Sequence, residues 1–158
     1  MRRIQSIFIL SIILLLTSCS SDTDNEGVFD DSSNYSSYEK EIIQLLNNHR
    51  NSKGLSSLKV LDIIKTQTDE HTDYMISAGQ ISHDNFSDRS SYLQKNAQAK
   101  GTAENVASGY TTAQSVVNGW INSDGHRKNI EGNYTHFHLT AKQSPNNKWY
   151  YTNIFIRQ

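Results

Sequence analysis

The chain has 158 residues, with 15 Lys and Arg against 16 Asp and Glu and a formal net charge of −1. That length suffices for one domain with a single core, and so even a charge balance excludes the basic surface that a nucleic-acid partner requires. The single cysteine, Cys19, excludes any disulfide within the chain, so packing alone must hold the fold.

The chain opens with Arg2 and Arg3, followed by an apolar stretch from Ile4 to Leu16 that is interrupted by Gln5, Ser6 and Ser11. It is shorter than the ~20 residues a spanning helix needs, and it runs into small residues, which is the pattern of an export signal. The ending Leu16-Thr17-Ser18-Cys19 resembles the lipobox of bacterial lipoproteins. That resemblance implies cleavage before Cys19, acylation of Cys19, and anchorage in the membrane through the attached lipid. An uncleaved anchor helix with an incidental thiol is the weaker alternative. Ser20 to Ser37 carries five acids, no bases and few large apolar residues, so it cannot offset its chain entropy by burial and reads as a flexible spacer. The expected organisation is a signal at 1–18, the lipidated Cys19 and acidic tether at 19–37, and a folded domain at 38–158. The expected location is the bacterial envelope, the long tether suiting display at the outer-membrane surface.

Helical periodicity begins at Ser36. Ser36 and Glu39 have the spacing of a capping box, and Tyr38, Ile42, Leu45, Leu46 and His49 share one helical face before Gly54. A second helix is predicted from about Leu61, with Ile64, Thr68, His71 and Met75 at helical spacing, ending at Gly79. Ser91 to Lys100 reads as a short third helix. Thr111 or Thr112 caps a fourth, with Val116, Val117 and Trp120 inward. The last part is aromatic and β-branched: Tyr134 to Lys142 and Trp149 to Ile156 flank a Pro145-Asn146-Asn147 turn, which predicts a hairpin. Helices followed by antiparallel strands give an α+β class.

Several small motifs occur in a fixed order. They are Leu46-Asn47-x-x-Arg50-x-x-x-Gly54-Leu55, Ser82-His83, Glu104-Asn105-x-Ala107, Trp120-x-x-Ser123-x-Gly125-His126-Arg127-x-Asn129, and Tyr151-Thr152-Asn153. The series resembles the CAP superfamily of cysteine-rich secretory, antigen 5 and pathogenesis-related-1 proteins, most of all its disulfide-free bacterial branch. The resemblance runs from about residue 38 to the C-terminus. It implies an α-β-α sandwich, a mostly antiparallel sheet between helical layers, with a shallow cleft on one face. It also implies that His83, Glu104 and His126 line that cleft, with Ser123 where a second acid is common. Two further departures are Phe137-His138-Leu139-Thr140, where a Val-Gly-Val-Gly run is frequent, and Asn153, where glutamine is usual.

Two imidazoles and a carboxylate can ligate zinc and so activate water, with His83 and His126 as the ligands. They can equally act as an acid–base pair near neutral pH, or form a hydrogen-bonded brace. No dense ligand motif occurs and no strand-turn-helix elbow surrounds Ser123. A binding module for a lipid, sterol, peptide or host macromolecule is favoured, needing no cofactor, with at most weak binding of a divalent metal such as zinc. The alternative is a metal-assisted hydrolase. His49 and His71 read as core histidines on their helices. His136 and His138, two apart on a strand, point to one sheet face. Tyr110, Tyr134, Tyr150 and Tyr151 suit either an apolar ligand surface or a half-buried sheet.

Overall fold

The computed structural model describes residues 35–158; the segment expected to be an export signal, Cys19 and most of the acidic segment lie outside the described residues. The elements run α1 (Ser37–Ser52), β1 (Lys59–Val60), a 3-10 turn (Asp62–Ile64), α2 (Lys65–Ala78), α3 (Phe86–Ala97), β2 (Gly101–Ser108), α4 (Ala113–Ile121), α5 (Asp124–Ile130), β3 (His136–Gln143) and β4 (Trp149–Arg157). The capping box is present: Glu39 N–H donates to Ser36 Oγ, and Ser36 N–H donates to the Glu39 carboxylate. The other oxygen of Glu39 accepts from Ala141 N–H at 2.9 Å, which ties the start of α1 to β3. Tyr35 is buried and stacks on His138, with ring centroids 4.7 Å apart. The packed domain therefore takes in Tyr35 and Ser36, which composition alone assigns to the tether.

The sheet order is β1-β3-β4-β2, with β1 parallel to β3 and the other pairs antiparallel. Side-chain alternation divides the sheet into two faces. Ala103 and Ala107, Phe137 and Leu139, and Tyr151 and Phe155 join Ile42, Leu46, Val116 and Trp120 in the larger core under α1 and α4. On the opposite face Ile154 and Ile156 meet Ile64, Leu93 and Ala97, while Val106 and Tyr150 meet Met75. This is the α-β-α sandwich expected. Trp120 is fully buried, meets Tyr151 edge-on, and donates Nε1–H to the Val106 carbonyl at 3.2 Å.

Three elements depart from the sequence reading. The third helix begins at Phe86 rather than Ser91, and Gly101–Ser108, rich in Gly, Ala and Ser, forms a full strand through eight registered pairs with β4. The segment around His126, to which the sequence reading assigns no element, is a short helix. Among the described residues no helix is long and apolar enough to cross a membrane.

Candidate functional site

Glu104 occupies the middle of β2 and points toward α2 and α3, with only 1% of its side chain exposed. A carboxylate so deeply buried needs compensation, and α3 supplies it. Arg89, Leu93 and Ala97 form the buried stripe of that helix, so Arg89 stands at a core position. Its guanidinium grips Glu104 as a fork, Nε–H to Oε2 and Nη2–H to Oε1, both at 2.9 Å. The third arm, Nη1–H, donates to the Asp84 carbonyl at 2.7 Å and so pins the loop that carries His83. Asn85 in that loop takes a left-handed conformation, φ 59°, one that asparagine tolerates better than most residues.

His83 donates Nδ1–H to Glu104 Oε1 at 2.8 Å. Because the acceptor is a carboxylate, Nδ1 is the nitrogen that carries the proton in the neutral ring, and Nε2 is turned away from Glu104 on a side chain 55% exposed. His71 of α2 lies behind, 3.9 Å from Glu104 Oε1, and instead donates Nε2–H to the Ser82 carbonyl at 2.8 Å. It is a satisfied core histidine, as its place on the apolar face of α2 suggests. Burial holds its pKa below the ordinary imidazole value.

His126 lies on α5, which is fastened to β2 beside Glu104. Asn105 donates to the His126 carbonyl at 3.1 Å, and Asn129 donates to Asn105 Oδ1 at 2.9 Å and to the Glu104 carbonyl at 3.2 Å. These two amides stitch α5 to the strand. The His126 ring is half-buried, and its pKa is lowered first by that burial and then by the charge of neighbouring His83. Arg127 braces the turn, donating to the Ile121 carbonyl at 3.0 Å and to Asp124 at 2.6 Å.

The structure bonds His83 to Glu104, places His126 near enough for His83 to lower its pKa, and adds Arg89, which sequence reasoning missed. The available signal was a charged residue in register with Leu93 and Ala97. Ser123 does not join the group. It opens α5, and its hydroxyl makes no hydrogen bond among the described residues. The adjacent acid, Asp124, is held by Arg127 instead. His136 and His138 are also elsewhere: His138 is buried against Thr68 of α2 at 3.1 Å. Of the tyrosines, Tyr150 and Tyr151 are fully buried, and Tyr151 donates to the Tyr110 carbonyl at 2.8 Å. That pair belongs to the core rather than to a ligand surface.

The carboxylate decides what this cleft can hold. Both oxygens of Glu104 already accept from Arg89, and one also accepts from His83, on a side chain only 1% exposed, so the carboxylate is committed to these partners rather than turned toward a cation. Among the described residues no group of three or more His, Cys, Asp or Glu is arranged to hold a metal ion. The residues present do not fit a three-ligand zinc site. What remains is a carboxylate-oriented imidazole, a second imidazole within its electrostatic reach, and two exposed apolar side chains on the elements next to His83. Tyr74 and Ile81, 42% and 48% exposed, are large apolar residues on α2 and on the α2–α3 connection that carries His83, with Tyr74 bonded to Asp84 at 2.7 Å.

The sequence model of the family described as CAP: Cysteine-rich secretory protein family matches residues 43–155. The chain is 32% identical over 108 residues to the uncharacterized protein YkwD of Bacillus subtilis and 30% identical over 126 residues to the uncharacterized membrane protein YlbC of the same organism. Those matches cover 66% and 76% of this chain but only 42% and 34% of the relatives. Among solved structures, an outer surface protein from Borrelia burgdorferi superposes with a TM-score of 0.68 at 19% identity, covering 75% of this chain and 91% of that one. An extracellular protein containing an SCP domain from Bacillus anthracis superposes at 0.65 with 25% identity, covering 77% and 40%. A cysteine-rich secretory protein from Staphylococcus aureus gives 0.65 at 23%, covering 77% and 38%. Sequence, fold and the order of the cleft motifs agree, and the chain belongs to the CAP family of cysteine-rich secretory proteins.

Proposed function

We propose that the chain is a lipid-anchored CAP-domain binding module, displayed outside the cytoplasm, whose cleft around His83 and His126 receives a lipid, sterol, peptide or host macromolecule. The observation that carries this reading is the state of Glu104. Its carboxylate is consumed by Arg89 and His83 at 1% exposure, which makes it a brace for the cleft wall rather than a ligand or a proton donor. The exposed Tyr74 and Ile81 beside His83 give the opening an apolar margin suited to recognition. Two neighbours described as an outer surface protein and an extracellular protein support display beyond the cytoplasm. The lipobox-like ending at Cys19 supports the lipid anchor.

One observation favours a second reading. Glu104 orients His83 with Nε2 outward, an arrangement that can serve an acid–base role in a hydrolase. Replacing His83 and His126 together by Ala separates the two. A binding module retains ligand from arrays of lipids, sterols and peptides, more weakly in the double variant, and turns over no peptide in either form. Turnover of a peptide library by the full chain, lost in the double variant, would establish the hydrolase instead.

A further inference from the structure

A second site lies in the opposite direction along the sheet, where the end of α1 meets β1 and the start of β3. An open cavity of about 670 Å³ is lined there by Arg50, Lys59, Glu131, Tyr134 and His136 among others, none of them part of the His83 cleft. The unusual member is Arg50. Only 3% of the residue is exposed, yet among the described residues its guanidinium has no ion-pair partner. Its bonds go to neutral carbonyls: Nε–H to Ser56 at 2.9 Å, and Nη1–H to Ile130 at 2.6 Å and Gly132 at 2.9 Å. Nη2 makes no hydrogen bond among the described residues, and Arg50 forms part of the cavity wall.

Carbonyl dipoles satisfy N–H groups but do not neutralise a buried cation, which is costly to hold without a counter-charge. The rest of the wall adds to the positive field. Lys59 and His136 are register partners on β1 and β3, so the ammonium of Lys59 and an imidazole able to donate a hydrogen bond share one face of the sheet. The one acid in the wall, Glu131, is held by His49 Nε2 at 2.8 Å and forms no ion pair with Arg50 or Lys59, so one carboxylate faces two wall cations. Burial, and after it the nearby Lys59, lower the His136 pKa.

We propose that this cavity is an oxyanion-binding site, which takes the phosphate or carboxylate of a polar ligand such as a sugar phosphate or sugar acid against Arg50, Lys59 and His136. An arginine with a spare N–H meets such groups with charge-assisted hydrogen bonds. The cavity is far larger than the anion alone, and Tyr134 offers a ring face for the body of the ligand.

Calorimetry of the full chain at low ionic strength tests this, with glucose 6-phosphate, glucuronate and uncharged glucose as probes. At least one of the two anions binds and glucose does not; which anion binds more tightly identifies the head group. Lys59→Ala and His136→Ala each weaken that binding about fivefold without changing the melting temperature. Arg50→Lys keeps the charge but loses the brace and can unfold the loop, so the two wall substitutions carry the decision. Heat from neither anion, equal heat from glucose, or binding undiminished in both wall variants would leave Arg50 a purely structural brace and overturn the proposal.

Discussion

At the scale of single residues, the pair Arg89 and Glu104 decides the character of the cleft. Deleting one partner leaves the other charged, buried and unpaired. Arg89→Met should therefore cost about 3–5 kcal/mol, whereas Arg89→Met with Glu104→Gln should recover part of that loss; urea melts of the two variants check it. A second residue makes stability depend on pH. Burial lowers the His138 pKa to about 4, with Lys65 adding to the effect and Asp69 opposing it. The unfolded chain, with an ordinary imidazole, binds a proton between about pH 6.5 and pH 4 that the folded chain refuses. Stability from this group is thus complete above that range and declines as pH falls through it, by about 3 kcal/mol in all. His138→Gln should flatten that decline in melts between neutral pH and about pH 4. An unchanged slope would mean that other groups set the acid sensitivity.

At the scale of elements, the decisive buried contact is the one between α4 and the sheet. Trp120 fills the space against Tyr151 and bonds the Val106 carbonyl, and no disulfide can compensate for a void there. Trp120→Ala should cost about 3–5 kcal/mol, and a loss under about 1 kcal/mol in urea melts would show that the site collapses without penalty. Elements whose apolar residues follow a clean period were legible in the sequence: α1 with its capping box, α2, α4 and the β3–β4 hairpin. β2 was not, because Gly101–Ser108 lacks β-branched and aromatic residues apart from Thr102 and Val106 and owes its strand to pairing with β4. α3 was placed too late because Arg89 breaks its apolar stripe by chemistry while keeping it by position. That error hid the partner of Glu104. His83, Glu104 and His126 could be named from motif order, but not the fact that Glu104 is already satisfied, since that depends on contacts between β2, α3 and the α2–α3 loop.

At the scale of the whole molecule, a domain with its cleft at the β2 edge is joined through Tyr35 to the acidic segment and, beyond it, to Cys19. Cys19→Ala should shift the protein from the membrane to the soluble fraction or stall its precursor, read by detergent partitioning with an acyl label. Retention of label by the variant would place the anchor elsewhere. The central claim is that Glu104 braces the cleft and leaves it without a carboxylate for a metal. Zinc titration of the full chain by calorimetry, at about pH 7.5 and about pH 5.5, tests this most directly. The expected result is no tight stoichiometric binding at the higher pH, and loss of any weak heat at the lower pH as the imidazoles protonate. Tight one-to-one binding at the higher pH, with zinc-dependent peptide cleavage abolished by His126→Ala, would contradict it.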